Sequence, residues 1–250
     1  MCTVVVLRRP GHPRWPLLLA ANRDERLDRP WDAPGRYWPG AVAGRDRLAG
    51  GTWTALSDAG VVAAVLNRPG SLGPAAGKRS RGALPLLAAV GARDAAEAAA
   101  RVAALDAGDY RTFNLVLADG SGAAFFARGL GAGRPEVSAL GEGVGLVTAH
   151  DPNDAEASPR VRRHLPRFRS APPPDPDAAG GWAAWEALLA DAGGGEPGDA
   201  LRVPPVDGFG TVSASLLALA PGGRAAWRFA AGPPGEAPFR DVSLGPSAVS

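Results

Sequence analysis

Short apolar runs broken by turn-forming residues fill the first quarter of the chain, and alanine-rich amphipathic stretches follow in the middle. Thr3 to Leu7 is short and β-branched, the mark of a buried strand. Arg8 to Pro16 carries three prolines and a glycine and therefore turns the chain. Leu17 to Ala21 reads as a second strand, antiparallel to the first, which would bring Asn22-Arg23-Asp24 beside the head of strand one. Further strands are expected over residues 48–56 and 61–66, the latter ending at Asn67-Arg68-Pro69-Gly70. Phe113 to Ala118 and Ala123 to Ala127 flank Asp119-Gly120-Ser121-Gly122, a hairpin signal. Gly143 to Thr148 is another strand, and Thr211 to Leu219 with Arg224 to Ala230 forms a last hairpin around Pro221-Gly222-Gly223. Residues 26–47, interrupted by Pro30, Pro34 and Pro39, read as one long irregular loop.

Helices are expected after Ala83, over 94–105 with Asp94 as N-cap, from Ser158-Pro159 onward, and over Trp182 to Ala192. Residues 171–181, with four prolines and two glycines, read as a loop or linker. Strands at both ends with helices between and after them imply an α+β fold layered on mostly antiparallel sheet, read as a single domain over 1–250.

Composition narrows the function more by exclusion than by indication. The formal net charge is +2, and the chain holds one lysine, Lys78, so no nucleic-acid partner is expected. The run Arg160, Arg162, Arg163, His164, Arg167 and Arg169 reads as a solvated face. No apolar run reaches about 18 residues, so no stable membrane insertion is expected, and Val4–Leu7 is too short for a secretory signal. Cys2 is the only cysteine, which excludes an internal disulfide and fits a cytoplasmic, reducing compartment. Three histidines and one cysteine show no metal-ligand spacing, so no metal is expected. Phosphate-binding glycine loops and a G-x-S-x-G elbow are absent, and the oligomeric state is open.

The chemistry concentrates in Met1 to Glu25. Removal of Met1 would leave Cys2 with a thiol and a free α-amine, whose ordinary pKa of about 7.7–8.0 suits a base acting on that thiol. A small hydrophobe at the head of a strand is the other reading of Cys2. Asn22-Arg23-Asp24-Glu25 places four polar residues directly after an apolar strand, where burial requires partners. Asp24 could hold the α-amine, Arg23 could bind a substrate carboxylate bidentately, and Asn22 could orient either or donate to an oxyanion. Strand alternation sends Arg23 to the face opposite Asn22 and Asp24. Asn67 is a second candidate oxyanion donor or an ordinary turn residue. His150, after the Gly143–Thr148 strand, is a candidate proton shuttle or an ordinary half-buried histidine.

Met1-Cys2-Thr3, Asn22-Arg23-Asp24-Glu25, Leu48-Ala49-Gly50-Gly51-Thr52-Trp53 and Gly60 to Asn67 together resemble the NRDE family, which includes the Transport and Golgi organisation protein 2 family. Phe113-Asn114-Leu115, Ser158-Pro159-Arg160-Val161 and Gly210-Thr211 extend the resemblance. It implies a four-layer αββα sandwich of the N-terminal nucleophile hydrolase type, more distantly similar to bile salt hydrolase and penicillin V acylase. It further implies Cys2 as nucleophile, Asp24 as the holder of its amine, Asn67 as oxyanion donor and Asn22 and Arg23 as support. Glu25, Trp53 and His150 would then lie on the substrate side. The implied activity is cleavage of a C–N amide bond in a small molecule without a cofactor. The alternative is a non-catalytic interaction or haem-trafficking protein, with Cys2, His150 or His164 as haem ligand. The chain departs from the hydrolase pattern at Ala21, at Ala149-His150 and at Val212-Ser213.

Overall fold

The computed structural model describes residues 2–245. Two antiparallel sheets lie face to face between two pairs of helices. The first sheet contains β1 (Thr3–Arg8), β2 (Leu17–Arg26), β10 (Gly143–Val147), β11 (Phe209–Leu219), β12 (Ala225–Ala230) and β13 (Phe239–Asp241), in the order β10-β1-β2-β11-β12-β13. The second runs in chain order through β3 (Trp31–Trp38), β4 (Ala41–Asp46), β5 (Thr54–Ser57), β6 (Val62–Asn67), β7 (Phe113–Ala118), β8 (Ala124–Gly129) and β9 (Glu136–Ala139). The helices are α1 (Leu84–Ala89), α2 (Ala95–Ala103), α3 (Pro159–Ser170) and α4 (Ala183–Leu189).

Three apolar clusters fill the three interlayer spaces. Val4, Leu17, Leu19, Leu66, Val116, Leu217 and Trp227 meet between the sheets. Val5, Leu18, Leu165, Phe168, Trp185 and Leu216 pack the first sheet against α3 and α4. Ala63, Ala88, Ala98, Val102, Phe113 and Leu115 pack the second sheet against α1 and α2. Strand alternation produces this division, because Val4 and Leu19 face one way while Val5 and Leu18 face the other. Alanines on α1 and α2 let those helices sit close to the sheet. The arrangement is the αββα sandwich that the sequence implied.

Local signals acted as expected at several boundaries. Asp94 caps α2 by accepting from Glu97 N at 2.7 Å. Ser158 caps α3, accepting from Val161 N at 3.3 Å, with Pro159 in the first turn.

Three expectations need correction. Residues 26–47 are not one loop: they include β3 and β4, joined at Gly40 with φ +79°. Their pairing shifts register between Asp32 and Gly35 and again between Gly35 and Trp38. An edge strand with such irregularities accommodates Pro34. Residues 171–181 form a docked loop, since Arg14 reaches Asp175 and Asp177 at 2.8 Å each and Trp15 Nε1 donates to Asp177 at 2.9 Å. The basic run on α3 is only partly solvated, because Arg160 and His164 point inward and are buried.

His164 shows what that burial entails. Its Nε2 donates to the Asp199 carbonyl at 2.7 Å, and Arg167 donates to its Nδ1 at 3.0 Å. Burial, then the charges of Arg167 and Arg163, push its pKa down against the opposing Asp199 carbonyl and Asp191. The unfolded ring takes a proton near pH 6.5 and the folded one resists it, so stability should fall as pH drops below about 6.5. Urea midpoints at pH 7.5 and 5.5 test this: the drop should be smaller in His164→Gln than in the unaltered protein, and an identical drop would remove His164 as its source.

Candidate active site

β2 pairs with both β1 and β11, and this three-strand segment carries the site. Thr3 stands opposite Asn22 in the β1–β2 ladder, so Cys2 comes one step beyond it, level with Arg23. The Cys2 Sγ lies 3.6 Å from the Asp24 carbonyl oxygen, to which the thiol donates. On the other edge Ser213 is opposite Arg23 and Thr211 is opposite Asp24, so β11 uses two residues where β2 uses one. Val212 is the extra residue of this bulge. The bulge reverses the alternation of β11, and the two hydroxyls therefore serve opposite faces of the sheet.

On the helix face, Asp24 is held from two sides. Thr211 Oγ1 donates to Asp24 Oδ1 at 2.6 Å, and Arg160 Nη1 approaches Oδ2 at 3.3 Å. The same Arg160 nitrogen donates to Thr3 Oγ1 at 2.8 Å, while Val203 N donates to Thr211 Oγ1 at 2.8 Å. Asp24, Thr3, Arg160 and Thr211 are all buried, Arg160 to 5% exposure. Asn22 shares this face, and its amide donates at 2.9 Å to the carbonyls of both Leu189 and Leu201. It thus ties β2 to the α4 region, and its donors are not directed towards Cys2.

On the inner face, Cys2 and Ala21 pack against the core between the sheets. Cys2, Ala21, Arg23, Trp53, Leu66, Ser213 and Ser215 border a narrow crevice. Arg23 stacks on Trp53, its guanidinium carbon 4.3 Å from the ring centroid. Trp53 in turn stands edge-on to Trp31 with centroids 6.0 Å apart. Gly44 is required beneath Trp53, because a Cβ there would come within 2.2 Å of the indole. Arg23 Nη2 lies 3.8 Å from Glu25 and 3.9 Å from Asp46, and Arg29 reaches both of those carboxylates.

These surroundings set the protonation of the thiol. Burial first, then the Asp24 charge, push the Cys2 pKa above the ordinary thiol range, against a smaller opposing pull from Arg23. The resting group is therefore a thiol and needs a base to become a nucleophile. Arg23 is itself lowered, chiefly by burial, with Cys2, Glu25 and Asp46 opposing. Arg81, whose charge acts on Cys2 and Glu25, falls to about 10 through burial and its neighbour Arg111.

The remaining expected site residues are spread more widely. Glu25 is an ion-pair partner of Arg23 and Arg29 and does not border the crevice. Asn67 is the last residue of β6, directly after Ala64, Val65 and Leu66, which border the crevice. His150 is half-buried in the turn after β10, where its carbonyl accepts from Asn114 Nδ2 at 2.7 Å. Asn114 also donates to Thr148 O at 2.9 Å and accepts from Arg68 at 2.7 Å, pinning this turn to the second sheet. Among the described residues, no group of three or more His, Cys, Asp or Glu could hold a metal ion.

Two of the candidate haem ligands, His164 and Cys2, are constrained by their surroundings. His164 is fully buried with both ring nitrogens engaged. Cys2 is a thiol by virtue of its surroundings, whereas haem iron takes a thiolate.

Sequence reasoning passed over Arg160, Thr3, Thr211, Ser213 and Asn114 as site residues. All five lay within stretches that stand out in the sequence, but nothing in those stretches specified a contact with Asp24, with Arg23 or with the 148–151 turn.

The Transport and Golgi organisation 2 family model matches residues 1–140. The chain belongs to that family. Its fold is similar to that of penicillin V acylase from Agrobacterium tumefaciens, with TM-score 0.54 and 15% identity over 92% of this chain and 83% of the other. It is similar as well to the Caenorhabditis elegans orthologue of N-acylethanolamine-hydrolyzing acid amidase, with TM-score 0.52 and 12% identity over 86% and 92%. A variant of the conjugated bile acid hydrolase from Clostridium perfringens gives TM-score 0.54 and 11% identity over 98% and 92%. No curated protein sequence matches the chain. The family member thus has the N-terminal nucleophile hydrolase fold, and among its described residues no helix is long and apolar enough to cross a membrane.

The buried pair beneath the site has a measurable consequence. Arg160→Met removes a buried cation from Asp24 and should cost on the order of 3 kcal/mol in urea unfolding. Arg162→Met, which removes an exposed pair with Glu196, should cost less than about 1 kcal/mol. Equal losses would mean that Arg160 carries no special share.

Proposed function

We propose that this protein is an N-terminal nucleophile amidohydrolase in which Cys2, once Met1 is removed, attacks the carbonyl of a C–N amide bond. The observation that carries this reading is a free thiol at residue 2 opening into a crevice, with a buried carboxylate, Asp24, braced behind the same strand ends. Likeness to amide-cleaving enzymes of the same fold supports it.

The chemistry follows from the protonation states. The neutral α-amine of Cys2 takes the thiol proton as the sulfur attacks, and a tetrahedral oxyanion forms. The ammonium then returns that proton to the departing nitrogen, the C–N bond breaks, and an acyl thioester remains on Cys2. Water, deprotonated by the same amine, hydrolyses the thioester and restores the thiol. Asp24 holds and orients the amine during both steps, and Arg160 with Thr211 keeps the Asp24 carboxylate fixed. A reducing, cytoplasmic compartment suits a mechanism that depends on a free thiol.

The test compares the unaltered protein with Cys2→Ala on a panel spanning penicillin V, N-acylethanolamines and conjugated bile acids. Amine release should occur for at least one of these amide classes and fall by more than about a hundredfold in the variant. Equal residual activity in the two proteins would remove the mechanism.

A further inference from the structure

Two residues that border the crevice carry buried donors that the chemistry above does not use. Arg23 is 6% exposed, and its Nη1 has no hydrogen-bond partner. Ser213 is 1% exposed, and its Oγ is likewise without one. Leaving a buried donor unpaired costs about 1–3 kcal/mol, and more for a charged group, so such atoms call for an explanation.

Their placement is specific. Arg23 and Ser213 stand directly opposite each other across β2 and β11, and both border the crevice that Cys2 borders. Ser215, two residues further along β11, accepts from Trp227 Nε1 at 3.2 Å, which confirms that this side of β11 faces the space between the sheets. Directly opposite residues of an antiparallel pair have Cβ atoms about 4.5–5.5 Å apart, close enough for both side chains to reach one ligand group. Trp53 fixes the plane of the guanidinium, while Glu25 and Asp46 draw Nη2 to one side. One charged N–H donor and one hydroxyl therefore remain for a ligand. Two acidic groups near the same guanidinium leave its charge insufficient for a dianion, so a monoanion with oxygen acceptors fits best.

We propose that Arg23 Nη1 and Ser213 Oγ form a carboxylate-binding subsite beside Cys2, and that the amide cleaved there carries a carboxylate a few bonds from the scissile carbonyl. The bidentate Arg23 contact expected from the sequence is replaced by one N–H from Arg23 and one O–H from Ser213. The substrate assignment rests on the amidohydrolase reading; the anion subsite itself does not.

Binding is measured by calorimetry on the Cys2→Ala protein, which separates affinity from turnover, with N-butanoylglycine and its neutral counterpart N-butanoylglycinamide as probes. The acid should bind at least tenfold more tightly than the amide. Ser213→Ala and Arg23→Gln, each added to that background and checked for an intact fold by circular dichroism, should weaken the acid at least fivefold and leave the amide unchanged. Ser213→Ala removes only a hydroxyl and keeps the test decisive if Arg23→Gln does not fold. Equal affinity for the two probes, binding of neither, or an acid preference that survives Ser213→Ala would overturn the subsite. Selective acid binding without Cys2-dependent hydrolysis would sustain the subsite and sink the amidohydrolase reading. Cys2-dependent hydrolysis of both probes at equal kcat/KM would do the reverse.

Discussion

One extra residue in β11 decides which face of the central sheet each polar group occupies. If β11 ran through Val212 without a bulge, Thr211 and Ser213 would point the same way, as residues two apart in a regular strand do; Val212 is instead the extra residue of a bulge. With it, Thr211 turns to the helix layer and meets Asp24 at 2.6 Å, while Ser213 turns inward opposite Arg23. The bulge thus separates the network around Asp24 from the crevice that Cys2 borders within a few residues. Asp24, Arg160, Thr3 and Thr211 occupy one face; Cys2, Arg23, Ser213 and Trp53 occupy the other. Bulges beside active sites commonly re-aim side chains in this manner.

The two faces differ in how their charges are satisfied. Asp24 is held by charged and neutral donors in a dry layer, an arrangement that is rigid and costly to break at one end. Arg23 is half-satisfied: an aromatic face supports it and two carboxylates stand near Nη2, but Nη1 is open. Cys2 sits level with Arg23, desolvated enough to hold its proton. A thiol that must lose a proton to react thus lies next to a cation with an open donor, the pair on which the proposed amidohydrolase reading rests. The family match ends at residue 140, so Arg160, Thr211 and Ser213 come from the part of the chain beyond it. Fold likeness to the acylase, the acid amidase orthologue and the bile acid hydrolase extends over 86% of the chain or more.

Much of the layering was legible in the sequence. The β1–β2 hairpin, the helix caps at Asp94 and Ser158, and the opposite orientation of Arg23 to Asn22 and Asp24 all follow from local rules. What escaped depended on partners remote in the chain. β3 and β4 were hidden by Pro34 and by pairing that shifts register. Arg160 and His164 looked like members of a solvated basic run, because nothing local says which turn of a helix will meet a sheet. Thr211 and Ser213 could not be assigned to opposite faces without knowing that Val212 is a bulge. The tie from the Asn22 amide to Leu189 and Leu201 could not be foreseen either, since those partners lie more than 160 residues further on.

The central claim is that residue 2 supplies both nucleophile and base, and the intact mass of the purified protein tests it most directly. The proposed mechanism predicts a chain lighter by one methionine, beginning at Cys2 with a free α-amine. A chain that keeps Met1 has that amine locked in a peptide bond, and it would contradict Cys2 as its own base.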